Sequence, residues 1–269
     1  MKIRRMVALS RTLTLACLAA GIYAWAIEPF WLEVTRHTVP TATAARLRIL
    51  HISDLHTTGL GRLERRVLDV AAAEKPDLIV LTGDVLATAG RGLPADERDA
   101  VREVLSRLRA PRGVLAVPGN WEYWRGLRDP ASLFEGTGVR LLRNEAAEIG
   151  GGLWIVGLDD ACAGEPDEAT AFARVPPGAV AVVLMHSPAP FPRVATRAPL
   201  VLAGHSHGGQ VRLPFLPPLW LPPETGPYVQ GWYASGPSRL FVSRGVGTSI
   251  FRLRFLCRPE IAVIELRPS

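Results

Sequence analysis

Lysine is scarce in this chain, and cysteine and histidine are little more frequent. The 269 residues include two lysines, Lys2 and Lys75, together with three cysteines and six histidines. The formal net charge of +6 therefore comes from arginines, which are spread among 25 acidic residues and form no basic run interleaved with aromatic residues. This pattern argues against a nucleic-acid partner, because such proteins concentrate their positive charge on one face or segment.

The three cysteines give no sign of a disulfide framework. Cys17 lies inside an apolar segment, and Cys162 and Cys257 could pair only in an oxidising compartment. We therefore expect three free thiols. A chain of 269 residues with 48% hydrophobic content has room for one sizeable α/β domain, or at most two small ones.

The first 32 residues differ in kind from the rest. Four basic residues lie among residues 2–11, an apolar segment follows over residues 12–27, and aromatic residues cluster at its far end. Sixteen helical residues span about 24 Å, so crossing a hydrocarbon core of about 30 Å requires extension through residues 6–9, with Arg11 reaching back to the interface. We predict a membrane anchor over residues 1–32.

The orientation of this anchor follows from its charges. Basic residues before the apolar segment place the N-terminus inside and the remaining chain on the outer face of the membrane. A cleaved signal peptide is the alternative, since residues 24–26 fit a small-x-small cleavage site, and it would make the protein secreted. A domain on the cytoplasmic face, acting in lipid synthesis, would contradict the predicted orientation.

From residue 47 onward, short apolar runs end repeatedly in polar or glycine-bearing loops. Because ligand sites of α/β folds lie at the carboxyl ends of strands, the loops after these runs are candidates for one shared site. The runs, read as strands, cover residues 47–52, 78–81, 114–117, 180–185 and 200–203.

Two amphipathic helices separate the early strands. Residues 60, 63, 67, 70 and 71 share one helical face, residues 101, 104, 105 and 108 share another, and Pro76 and Pro111 end the two helices. Later strands have short or absent helices between them, which suggests a second sheet; they cover residues 153–156, 240–242 and 261–264. We expect residues 33–46 to be a tether and residues 47–269 to form one domain with two packed sheets.

The polar residues at the strand ends form a set suited to metal ions. Four imidazoles, two carboxylates and one amide oxygen, with no thiolate, favour two divalent ions of borderline hardness such as Mn, Fe or Zn. One carboxylate would bridge the two ions, about 3.5–4 Å apart, with a hydroxide between them. The seven residues are Asp54, His56, Asp84, Asn120, His186, His205 and His207. We expect the other two histidines to lie outside the site, His51 as a hydrogen-bonded core residue and His37 solvated in the tether.

Two other hydrolase classes can be tested against the same motifs. Residues 204–208 match G-x-S-x-G, the nucleophile elbow of serine hydrolases, but no histidine follows His207 to complete a triad in the required order. H-E-x-x-H, the zinc peptidase signature, does not occur. Ser206 is therefore interpreted as a small spacer between two metal-binding histidines.

Taken together, these motifs resemble the calcineurin-like metallophosphoesterase superfamily over about residues 47–266. The motifs, in chain order, are Asp54-x-His56, Gly83-Asp84, Gly119-Asn120, His186 and Gly204-His205-x-His207. The resemblance implies a four-layer α/β/β/α sandwich and phosphoester hydrolysis by a metal-bridging hydroxide. Within the superfamily, the anchor and residues 204–214, 243–247 and 257–260 are similar to a group of bacterial membrane-associated phosphoesterases. Some of these hydrolyse lipid-linked pyrophosphates such as UDP-2,3-diacylglucosamine.

The resemblance also implies a role for each ligand. One ion would be held by Asp54, His56, Asp84 and His207, and the other by Asp84, Asn120, His186 and His205, with Asp84 as the bridge. We expect Asp84, Asn120 and His205 to act in catalysis. Trp121, Arg244, Arg252 and Arg258 are candidates for substrate binding, and Arg254 for a further phosphate contact, although surface salt bridges would equally explain any one of the arginines.

One motif departs from the family pattern. Most members have Gly-Asn-His-Asp/Glu where this chain has Trp121 in the third place and Glu122 in the fourth. The missing histidine is the one credited with protonating the leaving oxygen, a role worth about 10²–10⁴-fold in rate. Its loss matters least for a leaving group that is stable as an anion, which favours a pyrophosphate or an activated diester. Alternatively, Trp121 simply packs and another group supplies the proton.

An apolar, proline-rich segment follows the last motif, over residues 211–223. Its prolines exclude a regular helix or central strand, and its apolar side chains would be costly on an ordinary loop. The segment is either a cap packed on its own domain or a lip that faces the membrane and admits an acyl chain.

We therefore predict a two-metal phosphoesterase acting on a phospholipid or lipid-linked pyrophosphate at a membrane. A phosphodiesterase for soluble nucleotides or cell-envelope esters is the second possibility, with the anchor serving only for localisation. The third is a metal-holding binding module without catalysis, against which the complete ligand set argues.

Overall fold

The computed structural model of the protein describes residues 2–42, 46–87 and 92–268, with side chains from Ser10 onward. Within these residues it contains seven α-helices and twelve strands. The helices are α1 Lys2–Ile22, α2 Arg62–Glu74, α3 Ala95–Ser106, α4 Asn120–Trp124, α5 Ala131–Phe134, α6 Glu168–Phe172 and α7 Phe191–Val194. The strands are β1 Glu33–Thr41, β2 Leu47–Ile52, β3 Leu78–Thr82, β4 Val114–Val117, β5 Val139–Leu141, β6 Glu145–Glu148, β7 Leu153–Gly157, β8 Val180–Leu184, β9 Leu200–Ala203, β10 Gly231–Ser235, β11 Ser238–Val242 and β12 Glu260–Pro268.

The strands form two six-stranded sheets. The first has the order β1-β12-β2-β3-β4-β5 and the second β10-β11-β9-β8-β7-β6. Strands β2 to β5 are parallel to one another, as are β7, β8, β9 and β11. Each sheet therefore brings the carboxyl ends of several central strands to one edge, where loop residues can converge.

Three apolar layers hold the sheets and helices together. The alternation of side chains along β2 sends Ile49 toward the second sheet and Leu50 toward the helices, and β3 does the same with Val80 and Ile79. One cluster thus lies between the sheets, one between the first sheet and α2 and α3, and one between the second sheet and α6 and α7. This arrangement confirms the expected four-layer α/β/β/α sandwich.

The two predicted helices begin and end as their sequences indicate. The Glu64 carboxylate accepts a hydrogen bond from the Gly61 N–H, 2.9 Å away, at the start of α2. Lys75, in the left-handed conformation, ends α2 just before Pro76. Asp96 and Glu97 lie in the first turn of α3, where negative charge is favourable to the helix dipole.

The segment expected to be a tether is partly a strand. Residues 33–41 form β1, which pairs in parallel with β12 at the edge of the first sheet. His37 on β1 is consequently not solvated as predicted. Its Nδ1 accepts a hydrogen bond from Trp232 Nε1–H at 3.2 Å, and its ring packs against Phe241 at 4.7 Å.

A second correction concerns the last strand. We expected residues 261–264 to belong to the second sheet, yet β12 lies in the first, antiparallel to β2. Its apolar residues alternate between two core layers, with Val263 facing the helices and Ile264 facing the second sheet. A short hydrophobic run does not encode which sheet it joins, because both sheets offer buried positions of the same kind.

Other expectations about single residues hold. His51 is fully buried, with its Nε2 2.8 Å from Thr82 Oγ1. Cys17, Cys162 and Cys257 are all free thiols.

The N-terminal helix stands apart from the sandwich until its last turn. Helix α1 covers 21 residues, or about 31 Å, and is followed by a π-helical turn over Tyr23–Ile27 and a 3₁₀ turn over Glu28–Phe30. Among the described residues, Ser10–Phe30 is the one helical stretch long and apolar enough to cross a membrane, and most of it is exposed. A signal sequence would share these properties, so the stretch is an anchor or a signal.

Candidate metal centre

All seven predicted ligands lie in loops at the carboxyl ends of parallel strands. Asp54 and His56 follow β2, Asp84 follows β3, and Asn120 follows β4, so the first sheet supplies both carboxylates and the amide. The second sheet supplies three imidazoles: His186 follows β8, and His205 and His207 follow β9. The two sheets thus face each other across one site.

The backbone of these loops is held in an unusual conformation. Positive φ is uncommon outside glycine and costs on the order of 1–3 kcal/mol per residue, so its concentration here indicates loops shaped by the site and not by local preference. Five of the seven residues have positive φ: Asp54 at 51°, His56 at 45°, Asp84 at 52°, His205 at 71° and His207 at 52°.

The first cluster joins the loops after β2 and β9. Its nitrogen and oxygen atoms belong to Asp54, His56 and His207 and lie within 4.8 Å of one another. His207 Nε2 is 3.3 Å from Asp54 Oδ1 and 3.0 Å from His56 Nε2. His56 Nδ1–H donates to the Leu86 carbonyl at 3.0 Å, so a lone pair on its Nε2 points toward His207. A cation between these atoms would stabilise two facing nitrogens that otherwise compete for one proton.

The second cluster joins the loops after β3, β8 and β9. Asp84, His186 and His205 have ligand atoms within 4.8 Å of one another. His186 Nε2 is 3.2 Å from Asp84 Oδ2, 3.2 Å from Asn120 Oδ1 and 3.1 Å from His205 Nδ1. The donor set of one carboxylate, two imidazoles and one amide oxygen fits a divalent ion of borderline hardness.

Asp84 lies between the two clusters. Its Oδ2 atom is 3.2 Å from His186 Nε2 and 3.6 Å from His56 Nε2, which belong to different clusters. Its other oxygen, Oδ1, accepts a hydrogen bond from the Trp121 N–H at 2.9 Å. This carboxylate therefore has the position that a ligand shared by two ions requires.

Carbonyl oxygens set the orientation of the other histidines. His186 Nδ1–H donates to the Thr82 carbonyl at 2.7 Å, and His205 Nε2–H donates to the Pro223 carbonyl at 2.6 Å. The remaining nitrogen of each ring then faces the cluster. Such partners fix the tautomer of metal-binding histidines. Burial lowers the pKa of His186, but the charge of Asp84 outweighs it and raises this pKa well above its usual range, so a cation would replace a proton on His186 Nε2.

Burial and charge set suitable protonation states. Burial raises the pKa of Asp84, but the charges of His186 and His56 and the hydrogen bonds to the carboxylate outweigh it and lower the pKa to about 2. Burial, assisted by nearby His56 and Arg254, lowers the pKa of His207 well below its usual range. The carboxylate is thus ionised and this imidazole neutral, the states in which both bind cations.

Glu122 supports the site in a way that the sequence analysis missed. Its buried carboxylate accepts hydrogen bonds from the N–H groups of Gly119, Asp84, Val85 and Leu86, at 2.7, 3.0, 2.9 and 3.1 Å. It therefore caps α4 and clamps the loop that carries Asp84. The spacing Gly-x-x-Glu before a helix was the available signal, because it is that of a capping box.

Two glycines permit the loops to approach one another. A Cβ on Gly204 would lie 1.8 Å from Ser53 Oγ, and one on Gly119 would lie 2.4 Å from both the backbone nitrogen and Oδ1 of Asp84. Neither clash is with the far end of a flexible side chain. Both glycines are therefore required for the close packing of ligand loops and not merely for turns.

The three predicted substrate arginines lie near the end of the N-terminal helix, whereas Trp121 lies beside Asp84. Arg244 binds Glu33 and Glu260, at 2.7 and 3.3 Å, and Arg258 lies over the Trp31 ring at 4.3 Å. These contacts place both near the base of the N-terminal helix, together with Arg252, whose guanidinium lies over the Phe30 ring at 6.0 Å.

Arg254 has a structural position. It is fully buried, and its guanidinium donates to the carbonyls of Arg244, Gly245, Gly247 and Cys257. Its Nη2 also lies 3.4 Å from His207 Nδ1. These contacts fix the loop beside the first cluster and leave little of the guanidinium for a phosphate.

Trp121 lies next to the site in place of the family's histidine. The Trp121 side chain is partly exposed, and its ring meets that of Trp124 edge-on at 5.3 Å. The backbone N–H of Trp121 donates a hydrogen bond to Asp84 Oδ1. The backbone of this residue thus serves the site, and its side chain adds an apolar surface without a proton donor that titrates near neutral pH.

The apolar segment 211–223 is not packed as a cap. Phe215 is fully exposed, and Leu216, Leu219 and Trp220 are each more than half exposed. The alternative of a packed cap is wrong for these four side chains. The segment ends on Pro223, whose carbonyl accepts from His205, so it lies directly beside the metal centre.

Comparisons with known proteins agree with this geometry. The family model described as calcineurin-like phosphoesterase matches residues 47–209. The chain is 33% identical to the uncharacterized metallophosphoesterase YkuE of Bacillus subtilis, over 94% of this chain and 93% of that protein. It is 32% identical to the phosphodiesterase YaeI of Escherichia coli, over 89% and 90% of the two chains.

A further relative has a more specific name. The chain is 27% identical to the UDP-2,3-diacylglucosamine pyrophosphatase LpxG of Chlamydia muridarum, over 93% of this chain and 95% of that protein. The family match covers more than half of the chain and includes every residue of both ligand clusters. The chain therefore belongs to the calcineurin-like phosphoesterase family and is a metal-dependent phosphoester hydrolase.

Proposed function

We propose that the protein is a two-metal phosphoesterase that cleaves a phosphodiester or pyrophosphate bond of a lipid-linked substrate at a membrane. The observation that carries the proposal is the position of Asp84, with one oxygen within 3.6 Å of histidines from both clusters. Two divalent ions bound there would supply an activated water nucleophile and neutralise charge on the phosphoryl oxygens. Manganese, iron and zinc all suit the donor set.

The chain's own residues have distinct tasks in this proposal. Asp54, His56 and His207 would hold one ion and Asn120, His186 and His205 the other, and Asp84 would be a ligand of both. We propose that Asp84, Asn120 and His205 also act in catalysis. Glu122 keeps the Asp84 loop in place, and the Pro223 carbonyl keeps His205 in the tautomer that binds metal.

The tryptophan at position 121 limits which leaving groups the site can accept. With no imidazole at this position, the leaving oxygen must depart without the proton donor used by most of the family. A nucleoside monophosphate leaving from a pyrophosphate is stable as an anion, whereas a simple alkoxide is not. The relative LpxG is named for this type of bond, which supports a pyrophosphate or an activated diester as substrate.

The N-terminal helix supports a membrane location. Its end is built into the domain, because the Ala24 carbonyl accepts from the Arg254 N–H at 2.9 Å and the buried Glu28 carboxylate accepts from the N–H groups of Leu256 and Cys257. Cleavage after residue 26 would remove the first of these contacts, so we favour a permanent anchor over a signal peptide. We propose that residues 1–32 form this anchor, with the N-terminus inside and the domain outside.

One assay separates the candidate functions. Metal-dependent hydrolysis is measured for bis(p-nitrophenyl) phosphate and for a UDP-linked diacylglucosamine, with Asp84→Ala as the control. We expect both to be cleaved, and the lipid with the higher kcat/KM. Diester cleavage alone would indicate a soluble-substrate phosphodiesterase, and metal binding without either reaction would indicate a binding module. Accessibility of a C-terminal tag from outside the cell tests the orientation.

A further inference from the structure

A groove lies between the loop after β2, the start of α2 and the end of the N-terminal helix. Its volume is about 680 Å³, within the roughly 300–1,000 Å³ typical of ligand sites. Its lining residues include His56, Phe30, Leu60, Ile250 and Phe251. The groove therefore connects a predicted metal ligand with the base of the apolar helix.

The rim of this groove is apolar and exposed. Ile250 is 57% exposed and Phe251 69% exposed, which is costly in water for large side chains placed next to each other. The neighbouring segment is fixed to the helix, since Phe255 meets the Tyr23 ring edge-on at 6.2 Å. The rim is thus continuous with the surface that the anchor would bury in lipid.

Two arginines give the groove a positive charge. The guanidinium groups of Arg62 and Arg252 lie over the Phe30 ring, 5.4 and 6.0 Å from its centroid, and both residues line the groove. Arg244 and Arg258 nearby are instead engaged by Glu33. An apolar wall beside guanidinium groups matches an amphiphile with a negatively charged head.

We propose that this groove takes an acyl chain of the lipid substrate, with its charged head beside Arg62 and Arg252 and its phosphoester beside His56. This inference rests on the proposed function and adds a route from the bilayer to the metal centre. It assigns the acyl chain to the groove at residues 55–64 and 247–252 and not to the proline-rich segment 211–223.

Photo-crosslinking tests the assignment without requiring turnover. The full chain is placed in phosphatidylcholine nanodiscs containing phosphatidic acid with a diazirine in one acyl chain, irradiated, and digested for mass spectrometry. We expect labelled peptides from residues 55–64 and 247–252. Labelling confined to the helix or to residues 213–220 would overturn the proposal.

A matched pair of variants adds a kinetic test. Thr58 lines the groove and is exposed, so Thr58→Trp should obstruct it without disturbing the core; Thr38→Trp, on exposed β1, is the control. We expect kcat/KM for the UDP-linked lipid to fall about tenfold in Thr58→Trp, comparable to the loss of two buried methylene groups. Hydrolysis of bis(p-nitrophenyl) phosphate should stay within twofold in both variants. Equal losses on both substrates would show a blocked metal centre and contradict an acyl site.

The two tests separate this inference from the proposed function. Groove labelling in a protein that hydrolyses no lipid would support the acyl site and contradict the proposed activity. Lipid hydrolysis with labelling elsewhere would support the activity and contradict the acyl site.

Discussion

The metal centre and the apolar rim at the helix base differ in how far their side chains are buried and paired. At the metal centre, nearly every polar atom is buried and has a defined partner, as Asp84 does with His186 and the Trp121 N–H. At the rim, Ile250 and Phe251 are exposed. The first region has its partners within the protein, whereas the second exposes apolar side chains that a lipid phase would cover.

The two regions therefore have different roles: the metal centre would carry out hydrolysis, and the apolar rim would contact the lipid. A phosphoester can be hydrolysed with the buried clusters alone, but exposed apolar side chains contribute nothing to that reaction in water. Substitutions in the two regions should therefore affect different measurements: metal content and turnover for the centre, and discrimination between lipid and soluble substrates for the rim.

The largest effect is expected at the shared carboxylate. Asp84→Ala should reduce hydrolysis of every substrate by at least about 10³-fold, since several kcal/mol of metal-ion stabilisation would be lost. Metal analysis of the purified protein should show fewer than two ions per chain. Asp99→Ala, on the exposed face of α3, should change neither value. Full metal content with activity within tenfold of wild type would show that Asp84 is not shared.

The clamp on the Asp84 loop gives the next largest effect. Glu122→Gln keeps the shape but replaces one carboxylate oxygen with an amide NH₂, which then faces two of the four backbone donors, so we expect a loss of about 3 kcal/mol in unfolding free energy. That corresponds to a decrease of roughly 6–12 °C in Tm. Calorimetry of this variant and of Glu135→Gln, whose carboxylate is exposed, measures the difference. Matching Tm values would mean that Glu122 is dispensable.

A change at Trp121 should alter substrate preference. Trp121→His introduces the proton donor common in the family and should raise turnover of unactivated alkyl phosphomonoesters by at least about tenfold, below the 10²–10⁴-fold of an optimised acid. Turnover of pyrophosphate-linked substrates should change little. If the wild-type protein already cleaves alkyl phosphomonoesters as fast as pyrophosphates, the leaving-group argument is wrong.

The smallest effects are expected at the proline-rich segment. Replacing its four exposed apolar residues with Ser should lower kcat/KM for the lipid substrate in vesicles by roughly threefold and leave soluble diester hydrolysis unchanged; the residues are Phe215, Leu216, Leu219 and Trp220. Unfolding free energy should stay within about 0.5 kcal/mol, because exposed side chains contribute little to it. Equal losses on lipid and soluble substrates would indicate that the segment supports the metal centre instead.

The sequence predicted which polar side chains come together more successfully than the positions of β1 and β12. Asp84 and His205 are recognisable because a metal site needs carboxylate and imidazole donor atoms at the strand ends, and few other residue types supply them. Strand β12 was assigned to the wrong sheet because an apolar run indicates burial but not which sheet provides it, and β1 was missed because its residues were interpreted as a tether. The role of Glu122 was missed for another reason: the Gly-x-x-Glu spacing predicts a helix cap, but it does not show that the same carboxylate also binds the backbone of the distant Asp84 loop.

Anomalous diffraction at the absorption edge of the bound metal, from crystals of the full chain, tests the central claim most directly. The account predicts two peaks, about 3.5–4 Å apart, on either side of the Asp84 carboxylate. A single peak at saturating metal, or two peaks of which one lies away from Asp84, would contradict it.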